Sequence, residues 1–157
     1  MGAILISGTP GTGKTTIAKE LATRMSYNFL DMGKLAEGEH IYLEVDTERN
    51  TKIIDEPKLA KRIEEEIATN KGRIVISSHY AEIVNPRPVD KVIVLRTHPD
   101  RLRERLSERG WSDHKIKENL EAEILGVCSF NALRKYGKER VFEIDTTNLT
   151  PNETLEK

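Results

Sequence analysis

The sequence has one cysteine, few aromatic residues and almost no excess of charge of either sign. Among its 157 residues, only Cys128 is a cysteine, aromatic residues make up 5%, and the formal net charge is −1. A single cysteine excludes an intrachain disulfide and a zinc site built from several thiolates. A net charge near zero gives no overall attraction to nucleic acid or to an anionic membrane. Because no leader-like segment opens the chain and no apolar run approaches the ~20 residues that span a bilayer, we expect a cytoplasmic protein with no membrane partner.

The order of the apolar segments predicts an α/β fold. The length suits one domain, and no linker or repeat divides the chain, so we expect a single domain over residues 1–157. Short apolar runs alternate with segments in which apolar residues recur every three or four positions, which is typical of a doubly wound parallel sheet with crossover helices. One face of the last predicted helix is expected to be buried, along Ile116, Leu120, Ile124 and Val127. The strands are expected at 3–7, 27–31, 73–77, 91–96 and 141–144, and the helices at 15–25, from 57, at 99–108 and after Ser112 as N-cap, whereas residues 32–56 are expected to be irregular.

A glycine-rich loop lies between the first predicted strand and the first predicted helix. Residues 8–15 read GTPGTGKT and match G-x-x-x-x-G-K-[ST] at every fixed position, in the strand–loop–helix context that a phosphate-binding loop requires. Backbone N–H groups of such a loop, together with the helix N-terminus, suit the phosphates of ATP. Lys14 is placed to reach the β- and γ-phosphates, Thr15 to ligate Mg²⁺ through its hydroxyl, and Thr16 to contact the α-phosphate. Gly11, Thr12 and Gly13 complete the predicted nucleotide-binding loop.

Two arginines follow on a later helix. Arg105 and Arg109 are four residues apart, on one helix face, and they precede Gly110. This arrangement suits a short lid that closes positive charge over the phosphates, and the alternative is a solvated helix face. The loop by itself is compatible with a GTPase, a motor ATPase or a small kinase. The length favours the small kinases, and the absence of an N-K-x-D motif disfavours a GTPase.

Several segments together resemble one family. GTPGTGKTT, LAEGEHIYLEVD, IIDE, VIVLRT, RLSERGW and then NLEAEI are similar to the adenylate kinase isoenzyme six family, small P-loop kinases linked to maturation of the small ribosomal subunit. The resemblance covers roughly residues 3–145. It implies a nucleoside monophosphate kinase fold with strand order 2-3-1-4-5, an acceptor-binding segment at about 30–53 and a short lid at about 108–118. The ATP contacts that it implies, matched by motif, are Gly11, Gly13, Lys14, Thr15, Thr16 and Arg109.

The resemblance also implies an activity and partners. Family members phosphorylate AMP, usually with a broad acceptor range, and have a side ATPase activity. They bind a small-subunit ribosomal protein of the S11/S14 type, which suggests contact with a pre-ribosomal particle. Short adenylate kinases grip the AMP phosphate with an arginine where this chain has Glu37, and Lys34 replaces a usual aspartate nearby. The first departure leaves the acceptor phosphate without an obvious clamp, and Lys34 is a candidate to compensate for it in part.

The third predicted strand ends with a further departure. The family usually has Asp-x-His there, whereas this chain has a serine, Ser77, two residues before His79. The resemblance implies that His79 assists hydrolysis, and the alternative is a packed or capping histidine. Without the aspartate, Mg²⁺ is left to Asp55, Glu56 or Glu82, or to phosphate oxygens and water.

These observations support three functional hypotheses. The first is a kinase that catalyses ATP + AMP ⇌ 2 ADP, with Lys14, Arg105, Arg109 and Mg²⁺ supplying positive charge. The second is an assembly factor in which ATP hydrolysis, assisted by His79, switches the grip on a ribosomal protein. The third is a different small-molecule kinase on the same fold, of the shikimate or gluconate type, for which the sequence offers no acceptor motif.

Overall fold

A five-stranded parallel sheet forms the centre of the structure. The computed structural model describes residues 2–46, 51–78 and 81–147, with backbone alone for 43–46 and 51–53. The strand order is β2-β5-β1-β6-β7, which becomes 2-3-1-4-5 when a separate hairpin, β3–β4, is set aside. This confirms the predicted fold class. The strands are β1 (Ala3–Ser7), β2 (Asn28–Asp31), β3 (Tyr42–Asp46), β4 (Thr51–Ile54), β5 (Ile74–Ser78), β6 (Val89–Arg96) and β7 (Val141–Asp145); the helices are α1 (Lys14–Met25), α2 (Met32–Gly38), α3 (Glu56–Thr69), α4 (Pro99–Glu108), α5 (Asp113–Leu125) and α6 (Val127–Tyr136).

The central strands are apolar along their length because helices cover both faces of the sheet. Leu5 of β1 packs on one face with residues of α3 and α6, while Ile4 and Ile6 pack on the other face with α1. All five residues of β1 and all five of β5 are buried. Parallel strands covered on both sides therefore lose the usual alternation of polar and apolar residues.

Residues 32–56 are more regular than the sequence indicates. They contain α2, the antiparallel hairpin β3–β4 and the first residue of α3. The Asp31 carboxylate begins α2 by accepting a hydrogen bond from the Lys34 backbone N–H at 3.1 Å. The prediction of an irregular segment is therefore wrong, because elements of four to seven residues are too short to display a clear apolar period.

Helix α5 begins as predicted but ends early. The Ser112 hydroxyl accepts a hydrogen bond from the Lys115 N–H at 3.3 Å, which confirms the N-cap. Gly126, with φ +66°, then ends α5 and turns the chain into α6. Of the predicted buried face, Ile116 and Leu120 are buried, but Ile124 and Val127 are 65% and 39% exposed. That part of the prediction is wrong because Glu123, and not Ile124, takes the inward position in the last turn of α5, and Gly126 then redirects the chain before Val127.

Helices α4 and α5 form a helical hairpin that projects from the carboxyl end of β6. Leu102 and Leu106 of α4 pack against Ile116 and Leu120 of α5, in a small core separate from the two beside the sheet. Gly110 makes the turn between them with φ +77°. Across the described ranges, no helix is both long enough and apolar enough to cross a membrane.

Candidate active site

The loop between β1 and α1 has the geometry of an anion site. Gly13 is the N-cap of α1 with φ +93°, and a Cβ placed on it would meet no atom within 4 Å. No acidic residue lies in the first turn of α1, and no side-chain hydrogen bond caps it in the described part of the chain. The first backbone N–H groups of the helix are thus available to phosphate oxygens.

The back of the loop packs against the helical hairpin. Gly11 has φ +94°, and a Cβ there would lie 2.7 Å from Leu102 Cδ1 and 3.1 Å from Leu106 Cδ2. Only glycine permits both this backbone conformation and this approach. The loop is therefore open on the side of Gly13 and closed on the side of Gly11.

Lys14 lies at the entrance of the loop, half-buried. Burial lowers the pKa of its ammonium group, and the charge of Arg109 acts in the same direction, whereas Cys128 and Asp31 raise it. An incoming polyphosphate would favour the charged form again. Arg109 lies one helical turn after Arg105, which donates to the Gly11 carbonyl at 3.1 Å, so the tip of the helical hairpin lies near the loop.

Arg105 and Arg109, the two predicted lid arginines of the helical hairpin, have different surroundings. Arg105 donates to the Gly11 carbonyl at 3.1 Å, to the Thr97 hydroxyl at 3.3 Å and to the Thr146 carbonyl at 3.2 Å. It therefore braces the back of the loop, and this contact favours positioning over direct participation. Arg109 is exposed at the end of α4, beside Gly110. Catalytic roles for both remain predictions, with Arg109 the better placed.

The threonines in and after the loop differ in exposure and in their contacts. Thr12 is 1% exposed, and its hydroxyl and backbone N–H both donate to the Thr9 carbonyl, at 2.8 Å and 3.2 Å, so it shapes the loop and its predicted nucleotide contact stays a prediction. Thr15 is half-buried and Thr16 exposed, both in the first turn of α1. Their predicted contacts to Mg²⁺ and the α-phosphate are compatible with these positions.

Ser77 lies at the carboxyl edge of the sheet. It pairs in register with Ile6 of β1 and Asp31 of β2. It shares a sheet face with Val75, which packs under α1. Ser78 points the opposite way, and its hydroxyl lies 3.2 Å from Met32 Sδ. His79 falls outside the described residues, and its predicted role stays a prediction.

The carboxylates that the sequence singles out, for the metal or near the acceptor phosphate, lie on different elements. Asp55 caps α3 by accepting from the Lys58 N–H at 3.3 Å, and so has a structural use. Glu82 follows β5, and burial, reinforced by the charge of Glu56, raises its pKa. Glu37 is exposed on α2. Over residues 2–46, 51–78 and 81–147, no three His, Cys, Asp or Glu side chains converge as metal ligands.

Behind the phosphate loop lies a buried polar network that the sequence did not predict. Glu123 of α5 is 3% exposed and accepts hydrogen bonds from Thr9, Arg96 and Thr97. The available signal was its place three residues after Leu120, on the buried face of the helix. A carboxylate at an apolar position needs partners, and these come from distant segments.

Comparisons with known proteins agree on the family. A family model described as "AAA domain" matches residues 4–126. A Pyrococcus abyssi protein named "Putative adenylate kinase" is 42% identical over 154 residues, 98% of this chain and 80% of its own length. A Saccharolobus solfataricus protein of the same name is 40% identical with the same coverage. A Caenorhabditis elegans "Adenylate kinase isoenzyme 6 homolog" is 34% identical over 98% of this chain and 85% of its own length.

Comparison with solved structures supports the fold. A Sinorhizobium meliloti gluconokinase superposes with TM-score 0.63 at 18% identity, covering 99% of this chain and 87% of its own. A Bacteroides thetaiotaomicron shikimate kinase gives TM-score 0.51 at 20% identity, covering 90% and 85%. At such identities the likeness carries the P-loop kinase fold and not the substrate. Together with the sequence relatives it leads to one conclusion: the chain belongs to the adenylate kinase isoenzyme six family of P-loop phosphotransferases.

Proposed function

We propose that this protein is a nucleoside monophosphate kinase that catalyses ATP + AMP ⇌ 2 ADP and tolerates other monophosphates as acceptors. The observation that carries the proposal is the open helix N-terminus at Gly13, with Lys14 as the first residue of that helix. The names of its relatives, adenylate kinases, support the same acceptor class. A cytosolic location, where both nucleotides are abundant, is part of this proposal.

The reaction asks the protein for positioning and positive charge. An oxygen of the acceptor phosphate forms a bond to the γ-phosphorus of ATP, and the bond from that phosphorus to the β,γ-bridging oxygen breaks, which releases ADP. A phosphate monoester is already largely ionised at neutral pH, so the attacking oxygen needs no general base. Loop N–H groups hold the β-phosphate, Lys14 reaches between the β- and γ-phosphates, and Arg109 neutralises charge on the transferred group.

The side chains near the phosphate loop provide only part of a magnesium site. Mg²⁺ that entered with ATP would supply positive charge to neutralise the phosphates. The side chains that would hold it or its waters are the Thr15 hydroxyl and, from the carboxyl edge of β5, the Ser77 hydroxyl. Both are neutral oxygen donors, which suit an ion that keeps several waters and takes its remaining ligands from phosphate.

The deciding experiment measures ADP formation from ATP with and without AMP, on the purified chain. The proposal expects AMP to stimulate ADP formation by at least about tenfold, since the phosphate is a better placed nucleophile than water. Turnover that is the same with and without AMP would remove the kinase proposal. A panel of other monophosphates then measures the acceptor range.

A second candidate is supported by the acceptor side. Glu37 is exposed and stands where short adenylate kinases have an arginine that grips the acceptor phosphate, and this supports an ATPase whose hydrolysis switches binding to a small-subunit ribosomal protein. His79→Ala tests it, because a water-orienting histidine matters for hydrolysis and not for transfer to AMP. Loss of hydrolysis with AMP phosphorylation retained supports a hydrolytic role. Equal loss of both, with a lower melting temperature, would assign His79 to structure.

A further inference from the structure

A buried carboxylate connects helix α5 to the phosphate loop. Glu123 Oε1 accepts a hydrogen bond from the Thr9 hydroxyl at 2.8 Å. Its other oxygen, Oε2, accepts from Arg96 Nε at 2.8 Å and from the Thr97 backbone N–H at 3.0 Å. Glu121, two residues earlier on the same helix, is exposed. Each oxygen of Glu123 thus has its own partners, and only Oε1 faces the loop.

The loop is held from both arms of the helical hairpin. Helix α4 contributes Arg105, which donates to the Gly11 carbonyl at 3.1 Å. Helix α5 contributes Glu123, which accepts from Thr9. The Thr9 carbonyl in turn accepts from the N–H and hydroxyl of Thr12, at 3.2 Å and 2.8 Å. The loop and the hairpin therefore form one hydrogen-bonded unit, with Arg109 at the tip of that hairpin.

The bond from Thr9 to Glu123 spans 114 positions of sequence in a region that excludes water. Thr9 is 2% exposed. A hydrogen bond to a buried ionised group is stronger and more directional than one between neutral groups. Arg96 already neutralises the carboxylate through Nε, so the hydroxyl of Thr9 is not needed to compensate its charge. What the Thr9 bond adds is a fixed position of the loop relative to α5.

We propose that Glu123 is a positioning residue for phosphoryl transfer, which acts through Thr9 to hold the phosphate loop in register with Arg109. This inference rests on the proposed function. Loop N–H groups bind the β-phosphate in substrate and product alike, so a small displacement of the loop costs little affinity. Alignment of the γ-phosphate with Arg109 matters in the transition state, so the same displacement lowers kcat.

The test replaces the Thr9 hydroxyl with a methyl group of the same shape. Thr9→Val keeps the Arg96–Glu123 pair, so the fold is expected to survive, and thermal melting checks this. We expect kcat for ADP formation to fall about tenfold, while the Kd of a fluorescent ADP analogue changes less than about threefold, as loss of one bond to a charged group predicts. Thr9→Ser restores the hydroxyl and is expected to recover kcat to within about threefold of the wild type.

Two further variants make the test specific. Glu123→Gln leaves one acceptor oxygen for two sets of donors, so it is expected to lower kcat by a factor similar to that of Thr9→Val. Glu121→Gln removes an exposed carboxylate from the same helix and is expected to leave kcat within about twofold, as surface changes usually do. Combining Thr9→Val with Glu123→Gln should cost less than the product of the two single losses, because both act through one bond.

Three results would overturn the inference: unchanged kcat in Thr9→Val, equal losses of kcat and ADP affinity, or no recovery in Thr9→Ser. Failure of the proposed function looks different, because then the wild-type chain itself shows no stimulation by AMP. In that case the same four variants are compared for AMP-independent ATP hydrolysis, which requires the same alignment of loop and γ-phosphate.

Discussion

The donor side and the acceptor side of the site are built differently. On the donor side, the arginine–carboxylate pair Arg96–Glu123 has its carboxylate 4% exposed, and its hydrogen bonds reach the phosphate loop. On the acceptor side, Arg62 pairs with Glu39 and Glu66, whose side chains are 40% and 25% exposed. Both arginines are 29% exposed, so the contrast lies in the carboxylates: the buried one has no water to replace its partners, while the exposed ones exchange theirs for solvent more easily.

The phosphate loop has a fixed position, whereas the segment predicted to bind the acceptor can vary. The triphosphate must occupy one position in every turnover, and the donor side is braced from both arms of the helical hairpin by Arg105 and Glu123. The segment predicted to bind the acceptor contains the short helix α2 and a two-stranded hairpin outside the main sheet. Such a surface can accept several monophosphates or a different partner without disturbing the loop. Five substitutions, each set against a control or a partner variant where the chain offers one, test this contrast.

Lys14→Ala is the most severe test of the donor side. The lysine is the fixed charge between the β- and γ-phosphates, so turnover should fall at least about 10³-fold with AMP and without it. ADP formation measures both. Lys19→Ala on the exposed face of the same helix is the matched control and should stay close to wild type. Turnover retained within about tenfold in Lys14→Ala would mean that the chemistry takes place elsewhere.

Arg96→Ala and Arg62→Ala compare the two ion pairs directly. Removing Arg96 leaves the charge of Glu123 buried without its cation, and the free energy of unfolding should fall by about 3 kcal/mol or more. Removing Arg62 breaks pairs that water can replace, and the loss should stay under about 1 kcal/mol. Urea denaturation of the three proteins measures both values. Similar losses for the two variants would contradict the proposed contrast.

Arg109→Ala separates catalysis from binding on the donor side. A transition-state arginine at the hairpin tip predicts a loss of about 10²-fold in kcat with a smaller loss of ATP affinity. Arg103→Ala, an exposed arginine of the same helix, is the control. If the loss falls on affinity alone, Arg109 binds ground state and transition state equally.

Ser77→Asp is expected to have the smallest effect of these substitutions. Ser77 lies on β5, between β1 and β2. A carboxylate at the carboxyl edge of β5 would hold a metal-bound water by a charge-assisted hydrogen bond, so half-saturation by Mg²⁺ should fall several-fold, the equivalent of about 1 kcal/mol. A Mg²⁺ titration of ADP formation at fixed ATP measures it. Superimposable curves would indicate that another carboxylate, such as Glu82, already provides this interaction.

The parts of the fold that were predicted correctly have local signals. Strand β1, helix α4 and the Ser112 cap follow from contiguous apolar runs, a period of three to four residues and a hydroxyl before an acidic first turn. The failures come from elements too short to show a period and from a helix end that the apolar pattern does not mark. Helix α2 and the hairpin β3–β4 are too short for a period, and Gly126 ends α5 where the apolar pattern alone continues it.

The sequence by itself determined the phosphate loop, because its fixed positions are neighbouring residues whose spacing is preserved in the fold, and the motifs that resemble one family implied the strand order. Only the tertiary structure decided which arginine braces the loop and which stays free at the tip. Arg105 finds the Gly11 carbonyl 94 positions away, and Thr9 finds Glu123 114 positions away. Such contacts depend on how the helical hairpin packs against the sheet, and no local pattern of residues records that packing.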